Sequence, residues 1–184
     1  MPTSLALAQA DAMTVPDFVE PVEAWRVWRV CQREGRIVLQ SAFGDAPWEP
    51  GVPLSATCAK RHRPALRPWR METAAHEAPD IACSCGIYGV RSLVAARWYL
   101  ESRFVLGPVD RVIGRVALWG DVVVSEGGWR ASFAYPTELF VPVPSLMQRG
   151  LLRRTRHALE ETVRALERYH VPVDVVEPKS VLAL

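Results

Sequence analysis

The chain has 184 residues, of which 49% are hydrophobic and 23% charged. That places it among globular sequences, at the size of one domain with a substantial core, and excludes a disordered polyelectrolyte. The formal charge is only +2, and no run of 18 apolar residues exists, so no membrane-spanning helix is expected.

Residues 1–20 read as a flexible leader, in which Pro16 and Asp17, followed by Pro21, delay regular structure. The leader carries a short apolar patch, LALAQA, without a basic region before it, so no secretory signal is read there and a cytoplasmic location is expected. Residues 21–184 read as a single α+β domain. AWRVWRVC alternates, with Trp25, Val27 and Cys31 on one strand face and Trp28 and Val30 on the other; Cys31 is expected in the core. Arg33-Glu34-Gly35 predicts a turn, and RIVLQS a returning strand. Residues 44–86 form a loop region, punctuated by Pro47, Pro50, Pro53, Pro64, Pro68 and Pro79, which few regular elements survive.

Leu93, Ala96, Leu100 and Phe104 then recur at helical spacing, and Gly107-Pro108 ends that helix. RVIGRVALWGDVVV and WRASFAY predict a second hairpin around Glu126-Gly127-Gly128, with Gly114 and Gly120 marking bulges or close approaches. An amphipathic helix is predicted over 145–170. It starts with the capping pair Ser145 and Gln148, presents Leu152, Leu159, Val163 and Leu166 on one face and pairs Glu160 with Arg164 on the other. VPVDVV predicts a last strand. The fold expected is a twisted antiparallel sheet or open barrel with two helices and a metal-clamped, proline-rich loop.

The metal candidate rests on Cys58, His76, Cys83 and Cys85, which all fall in that loop region. Three thiols and an imidazole are a complete set of soft ligands for one tetrahedral ion, and a loop this long needs an anchor. In a reducing compartment, cysteines serve as metal ligands, reactive groups or core fillers more readily than as disulfides. Cys-x-Cys is tighter than the usual Cys-x-x-Cys knuckle but can chelate one ion, and Gly86 directly after it suits a backbone that bends around one. His62 is a rival to His76. His76 is preferred because it leads by a short segment into the chelating pair, whereas His62 sits in a basic run. Four protein ligands close the site, which points to structural Zn2+ rather than catalysis. Iron, a redox-active thiol pair, and buried cysteines without an ion are the alternatives. A deaminase site requires His-x-Glu and Cys-x-x-Cys, and neither spacing occurs here.

Two further groupings bear on a partner. Lysine occurs only at 60 and 179, so arginine supplies the other 20 of the 22 basic residues. Arg61, Arg63, Arg67 and Arg70 lie in an acid-free run with Trp69, a combination that suits nucleic-acid backbones and stacked bases, and equally a solvated loop. Arg149, Arg153, Arg154 and Arg156 form a second basic cluster. The aromatics Trp25, Trp28, Trp119, Trp129 and Tyr135 are either core or the lining of one ligand cleft. No phosphate-binding loop, nucleophile elbow or dinucleotide fingerprint is present, and Asp80, Asp110, Asp121 and Glu126 have no spacing that marks a carboxylate pair.

CSCGIYG, preceded by Cys58 and HEAPD and followed by GRVALWGDVV and GWRASFAYP, resembles a group of small bacterial, mainly actinobacterial, proteins. These carry a Cys…His-x-x-Pro…Cys-x-Cys-Gly-Ile-Tyr segment and a later Leu-Trp-Gly strand. The likeness covers about residues 25–140 and implies a shared architecture and a metal site. A looser resemblance, in length, aromatic hairpins and basic loops, is to PUA-like and ASCH-like domains, mixed barrels that read RNA or modified bases. The expected function is a non-catalytic, zinc-stabilised binding module for nucleic acid or a partner protein, away from membranes. An enzyme acting on a small or nucleotide-derived substrate in an aromatic cleft is the alternative, and a protein–protein adaptor the third reading.

Overall fold

The computed structural model describes residues 20–42, 44–58, 76–101, 109–143 and 152–177. Strands β1 (Val22–Arg33) and β2 (Arg36–Ser41) form the first hairpin, in register from Arg33 opposite Arg36 to Trp28 opposite Ser41. Its two-residue turn places Glu34 at φ 50° and Gly35 at φ 75°. Two successive left-handed residues match the twist of the flanking strands, and glycine adopts that conformation without steric cost.

The second hairpin dominates the sheet. Strands β6 (Arg111–Ser125) and β7 (Gly128–Pro142) pair along their length, with register shifts between Arg115 and Val116 and between Trp119 and Val122. Both glycines in β6 have the roles expected of them. Gly120 sits in the second irregularity with φ +77°, and a Cβ on Gly114 would lie 2.0 Å from the carbonyl oxygen of Glu138. The far edge of β7 takes three short partners in turn. These are β5 (Ile87–Val90) opposite Gly128–Ala131, β4 (Leu54–Ser55) opposite Phe133 and Ala134, and β8 (Val173–Val176) along Leu139–Pro142. The outer edge of β2 carries β3 (Pro47–Trp48).

The architecture is α+β, with an eight-stranded sheet, as expected, and one feature of the expected sheet changes. β8 runs parallel to β7, so the sheet is mixed rather than antiparallel. The reason lies in the connection, since a strand reached through a helical crossover returns in the direction of its predecessor. The sheet also curls without forming a clean barrel. β1, β6, β7 and β5 come full circle, but the return from β5 to β1 is the single pair Trp25–Val90.

Helix α1 (Leu93–Glu101) lies against one face of the sheet, where Trp25, Val27, Ala96, Ile113 and Phe140 pack together. Helix α2 (Leu152–Leu166), continued by a 3-10 turn over Glu167–Tyr169, covers the other. There Trp28, Leu39, Trp48, Val116, Leu139, Leu159, Leu166 and Tyr169 form the larger core. The alternation in β1 therefore feeds two layers, one under each helix. α2 buries Thr155 and Thr162 on its inward stripe alongside Leu159 and Leu166, and the Thr162 hydroxyl donates to the carbonyl of Ala158 at 2.8 Å, so its burial leaves no donor stranded. His170, in the left-handed conformation, ends the helical segment before Pro172.

Two smaller expectations change as well. Cys31 is half-buried rather than a core residue, and its Sγ lies 2.8 Å from Gln40 Oε1. Glu160 pairs with Arg156, one turn before it, at 2.9 Å, where the sequence pairs it with Arg164. The leader (apart from Glu20), the Ser145 and Gln148 capping pair, and the Gly107-Pro108 helix stop lie outside the described residues.

Candidate metal centre

Cys83 and Cys85 stand on the short stretch that enters β5, and Cys58 follows β4, so two strands held against the same edge of β7 bring the ligands together. One ligand atom from each of Cys58, His76, Cys83 and Cys85 can be chosen so that all four lie within 4.8 Å of one another. The Sγ atoms of Cys58 and Cys83 are 3.8 Å apart, and Nε2 of His76 is 3.3 Å from Sγ of Cys85. Tetrahedral coordination at ordinary zinc distances would separate two sulfurs by ~3.8 Å and a sulfur from a nitrogen by ~3.6 Å. The four side chains thus lie close enough together to hold one metal ion.

The loop that carries the pair is shaped by bonds of its own. Asp80 accepts the amide of Ala82 on Oδ1 at 2.8 Å and the amide of Cys83 on its carbonyl at 3.1 Å. Tyr88 donates its hydroxyl to the carbonyl of Ser84 at 2.5 Å. Gly86, at φ +117°, leaves the pair in a conformation that L side chains rarely adopt, and a Cβ there would come within 3.0 Å of the Pro79 Cβ and 3.1 Å of the Arg130 Cβ.

Arg130 holds this loop from β7. It is buried at 8% exposure, and its Nη1 donates to the carbonyls of Cys83, Cys85 (2.8 Å) and Asp80 (3.2 Å). Its guanidinium stands 6.0 Å from the Tyr88 ring centre. The placement is electrostatically apt. Three thiolates and a neutral imidazole on a divalent ion would leave one net negative charge, and Arg130 brings a cation to the backbone of the same loop.

The thiols do not titrate alike. Burial pushes Cys83 upward, but hydrogen bonds from the Cys85 backbone and from the side chains of Cys85, Cys58 and His76 outweigh it and bring Cys83 down to about 7. Burial raises Cys85, reinforced by the neighbouring Cys83 and Cys58. Cys83 therefore gives up its proton more readily than an ordinary thiol and Cys85 less readily, as expected of neighbouring thiols that repel once both are charged.

The remaining candidate residues do not converge. Trp28 is fully buried and meets Trp48 edge-on at 5.5 Å, while Trp25 packs on Phe140. Trp119 stacks on Phe133, and Trp129 lies under Arg91, whose guanidinium is 4.5 Å from its centroid. Tyr135 accepts the amide of Gly51 at 2.6 Å and donates to the carbonyl of Tyr169 at 3.0 Å, tying two loops. The five aromatics, read as either core or the lining of one cleft, are spread over both faces of the sheet, and Trp25 borders a cavity. His62, Arg61, Arg63, Arg67 and Arg70 lie outside the described residues, as does Arg149.

Comparison with protein-family models, with curated proteins and with solved structures finds no match to this chain. Among the described residues no helix is long and apolar enough to cross a membrane. The argument for function therefore rests on the site itself. Sequence reasoning named the four residues that the fold gathers and missed Arg130 and Tyr88. No local signal marked Arg130: it alternates with Trp129 and Ala131, and period two assigns it to solvent unless another segment covers that face.

Proposed function

We propose that this chain is a non-catalytic binding module whose fold is completed by one zinc ion on Cys58, His76, Cys83 and Cys85. The observation that carries the reading is the approach of all four ligand atoms to within 4.8 Å of one another, from three separate stretches of sequence. Thiolate and imidazole donors suit zinc, and four protein ligands leave no position for water or substrate. The ion closes a loop, because Cys58 and His76 are brought together and residues 59–75 run between them. That segment contains Lys60, Arg61, Arg63, Arg67 and Arg70 with Trp69 and is free of acidic side chains until Glu72. The basic, acid-poor composition of this segment suits the phosphate backbone of a nucleic acid and supports that target over an apolar protein surface.

The test has two stages. Protein purified without chelator should carry about one zinc per chain, and cobalt put in its place should give the absorption of tetrahedral thiolate coordination. A Cys83→Ser/Cys85→Ser variant should lose both. Unchanged metal content in that variant would overturn the site. The zinc-loaded protein should then bind single- or double-stranded nucleic acid with an affinity that falls steeply as salt rises, and less steeply in an Arg61→Gln/Arg63→Gln variant. Absence of any binding at low salt removes the nucleic-acid target while leaving the zinc site standing.

A further inference from the structure

A cavity of about 610 Å³ opens at a gap in the sheet, remote in its chemistry from the thiol cluster. On this edge β1 is paired with β2 from Trp28 onward and with β5 only at Trp25, so Arg26 and Val27 face the space between the two partners. Apolar walls come from Trp25, Val27, Ile87, Val90, Ala96 and Tyr99. The volume lies within the range of small-molecule sites, which combine such walls with a few placed polar groups.

The polar group here is Arg26. Its guanidinium donates to the Tyr88 carbonyl through Nη1 and to Ser41 Oγ at 3.1 Å through Nη2, and it lies 4.9 Å over the Trp48 ring. Two of its five N–H donors are thereby committed, and Nε is buried without a partner. Among the described residues no carboxylate pairs with it. Asp45, which also borders the cavity, is exposed and faces Arg29 at 3.6 Å. Burial lowers Arg26 to about 10, so it remains a cation at neutral pH. By solvent exposure the side chain is half-buried, so its head keeps some access to the cavity, and a guanidinium with unused N–H donors and no carboxylate partner can receive an anion by charge-assisted hydrogen bonds.

We propose that this cavity binds a small amphipathic anion, its apolar body between Trp25, Val27, Ile87 and Tyr99 and its carboxylate or phosphate head on Arg26 and Ser41. The carboxylate and the phosphate share the chemistry of the site: negative charge, acceptor oxygens in a plane or fork that matches guanidinium, and an uncharged tail.

Isothermal titration calorimetry on the full chain as purified tests this with octanoate, phenylacetate and phenyl phosphate, each against a neutral counterpart: octanol, phenylacetamide and benzyl alcohol. At least one anion should bind, with its neutral counterpart about tenfold weaker or more. The stronger of phenylacetate and phenyl phosphate identifies the head group. Arg26→Met should reduce the anion to the affinity of the neutral compound and leave the latter unchanged. Ser55 is an exposed residue on the rim, so Ser55→Trp should keep the fold and occlude both. Three results would each overturn the proposal: no binding of any anion at millimolar concentration, equal affinity for anion and neutral counterpart, or undiminished binding in a folded Ser55→Trp protein. The last keeps the test decisive should Arg26→Met fail to fold.

Discussion

Replacing Arg130 by methionine probes the support of the metal loop without touching a ligand. Three carbonyls, of Asp80, Cys83 and Cys85, accept from one nitrogen, Nη1. A hydrogen bond to a charged group contributes about 1.5–3 kcal/mol. One nitrogen has only two hydrogens, so the three bonds are not additive, and about 2–4 kcal/mol is the appropriate scale for the whole anchor. Methionine fills much of the same volume but leaves those carbonyls facing an apolar chain and removes the cation beside an anionic cluster. Groups that orient metal ligands typically alter affinity by about 10–100-fold, equivalent to ~1.4–2.7 kcal/mol, which agrees with the anchor estimate. Zinc affinity should therefore fall by about that factor in competition with a chromophoric chelator, while the far-UV spectrum of the sheet persists. Arg130→Lys, with charge but no fork, should fall between the two. Equal zinc affinity in wild type and Arg130→Met would refute the electrostatic and positioning argument together.

Other outcomes follow from the same contacts. Chelation should preserve most of the far-UV signal, since the two cores do not include the loop, but should speed hydrogen exchange at the amides of Ala82 and Cys83; global unfolding on chelation would show that the ion nucleates the core. Gly114→Ala should disrupt the β6–β7 pairing, because its Cβ would lie 2.0 Å from a backbone oxygen, whereas Gly127→Ala meets nothing within 4 Å and should shift stability by less than about 0.5 kcal/mol in denaturant titrations. Tyr169 carries a third test. Its hydroxyl donates to the Trp48 carbonyl and accepts the Leu39 amide at 2.9 Å, so Tyr169→Phe should cost about 1–3 kcal/mol. Burial raises this phenol from 10 to about 12, so the folded state holds its proton more tightly; the contribution is complete below pH 10 and lost as pH rises toward 12. The stability difference between wild type and Tyr169→Phe should shrink over that window, and a constant difference would contradict the assignment.

How far the chain could be read from its sequence depends on the range of the interactions. Both hairpins were legible because turn chemistry and alternation are local: Glu34-Gly35 and Glu126-Gly127 lie where the sequence places them. The ligand set was legible because three of its members crowd into ten residues and the metal's requirements are chemical rather than topological. The parallel strand was not, since nothing within VDVV records which edge of β7 it will meet or in which direction. Whether the aromatics were core or cleft was not legible for a related reason. Period two separates Trp25 from Trp28, but it does not say that both faces of β1 will be buried, one under each helix. Arg26 and Arg130 were passed over for the same cause, an arginine in an alternating strand reading as solvated until a second segment is laid across it.

Those two arginines explain why the candidate metal loop and the cavity are mechanically adjacent. Tyr88 is bonded at both ends: its hydroxyl donates to Ser84 inside the loop, and its backbone carbonyl accepts from Arg26 at the cavity floor. Gly86 leaves the cysteine pair and borders the same cavity. β5 is four residues long, and a strand that short holds its position through its neighbours rather than through its own ladder. All four of its residues pair with β7, the loop enters at one end, and the single pair Trp25–Val90 ties the other end to β1. An ion bound at this loop would therefore be linked to the Tyr88 carbonyl that Arg26 holds, and an anion drawing on Arg26 would act on the same carbonyl. Coupling of this kind is reciprocal, so whatever zinc adds to anion affinity the anion must return to zinc affinity, through one four-residue strand.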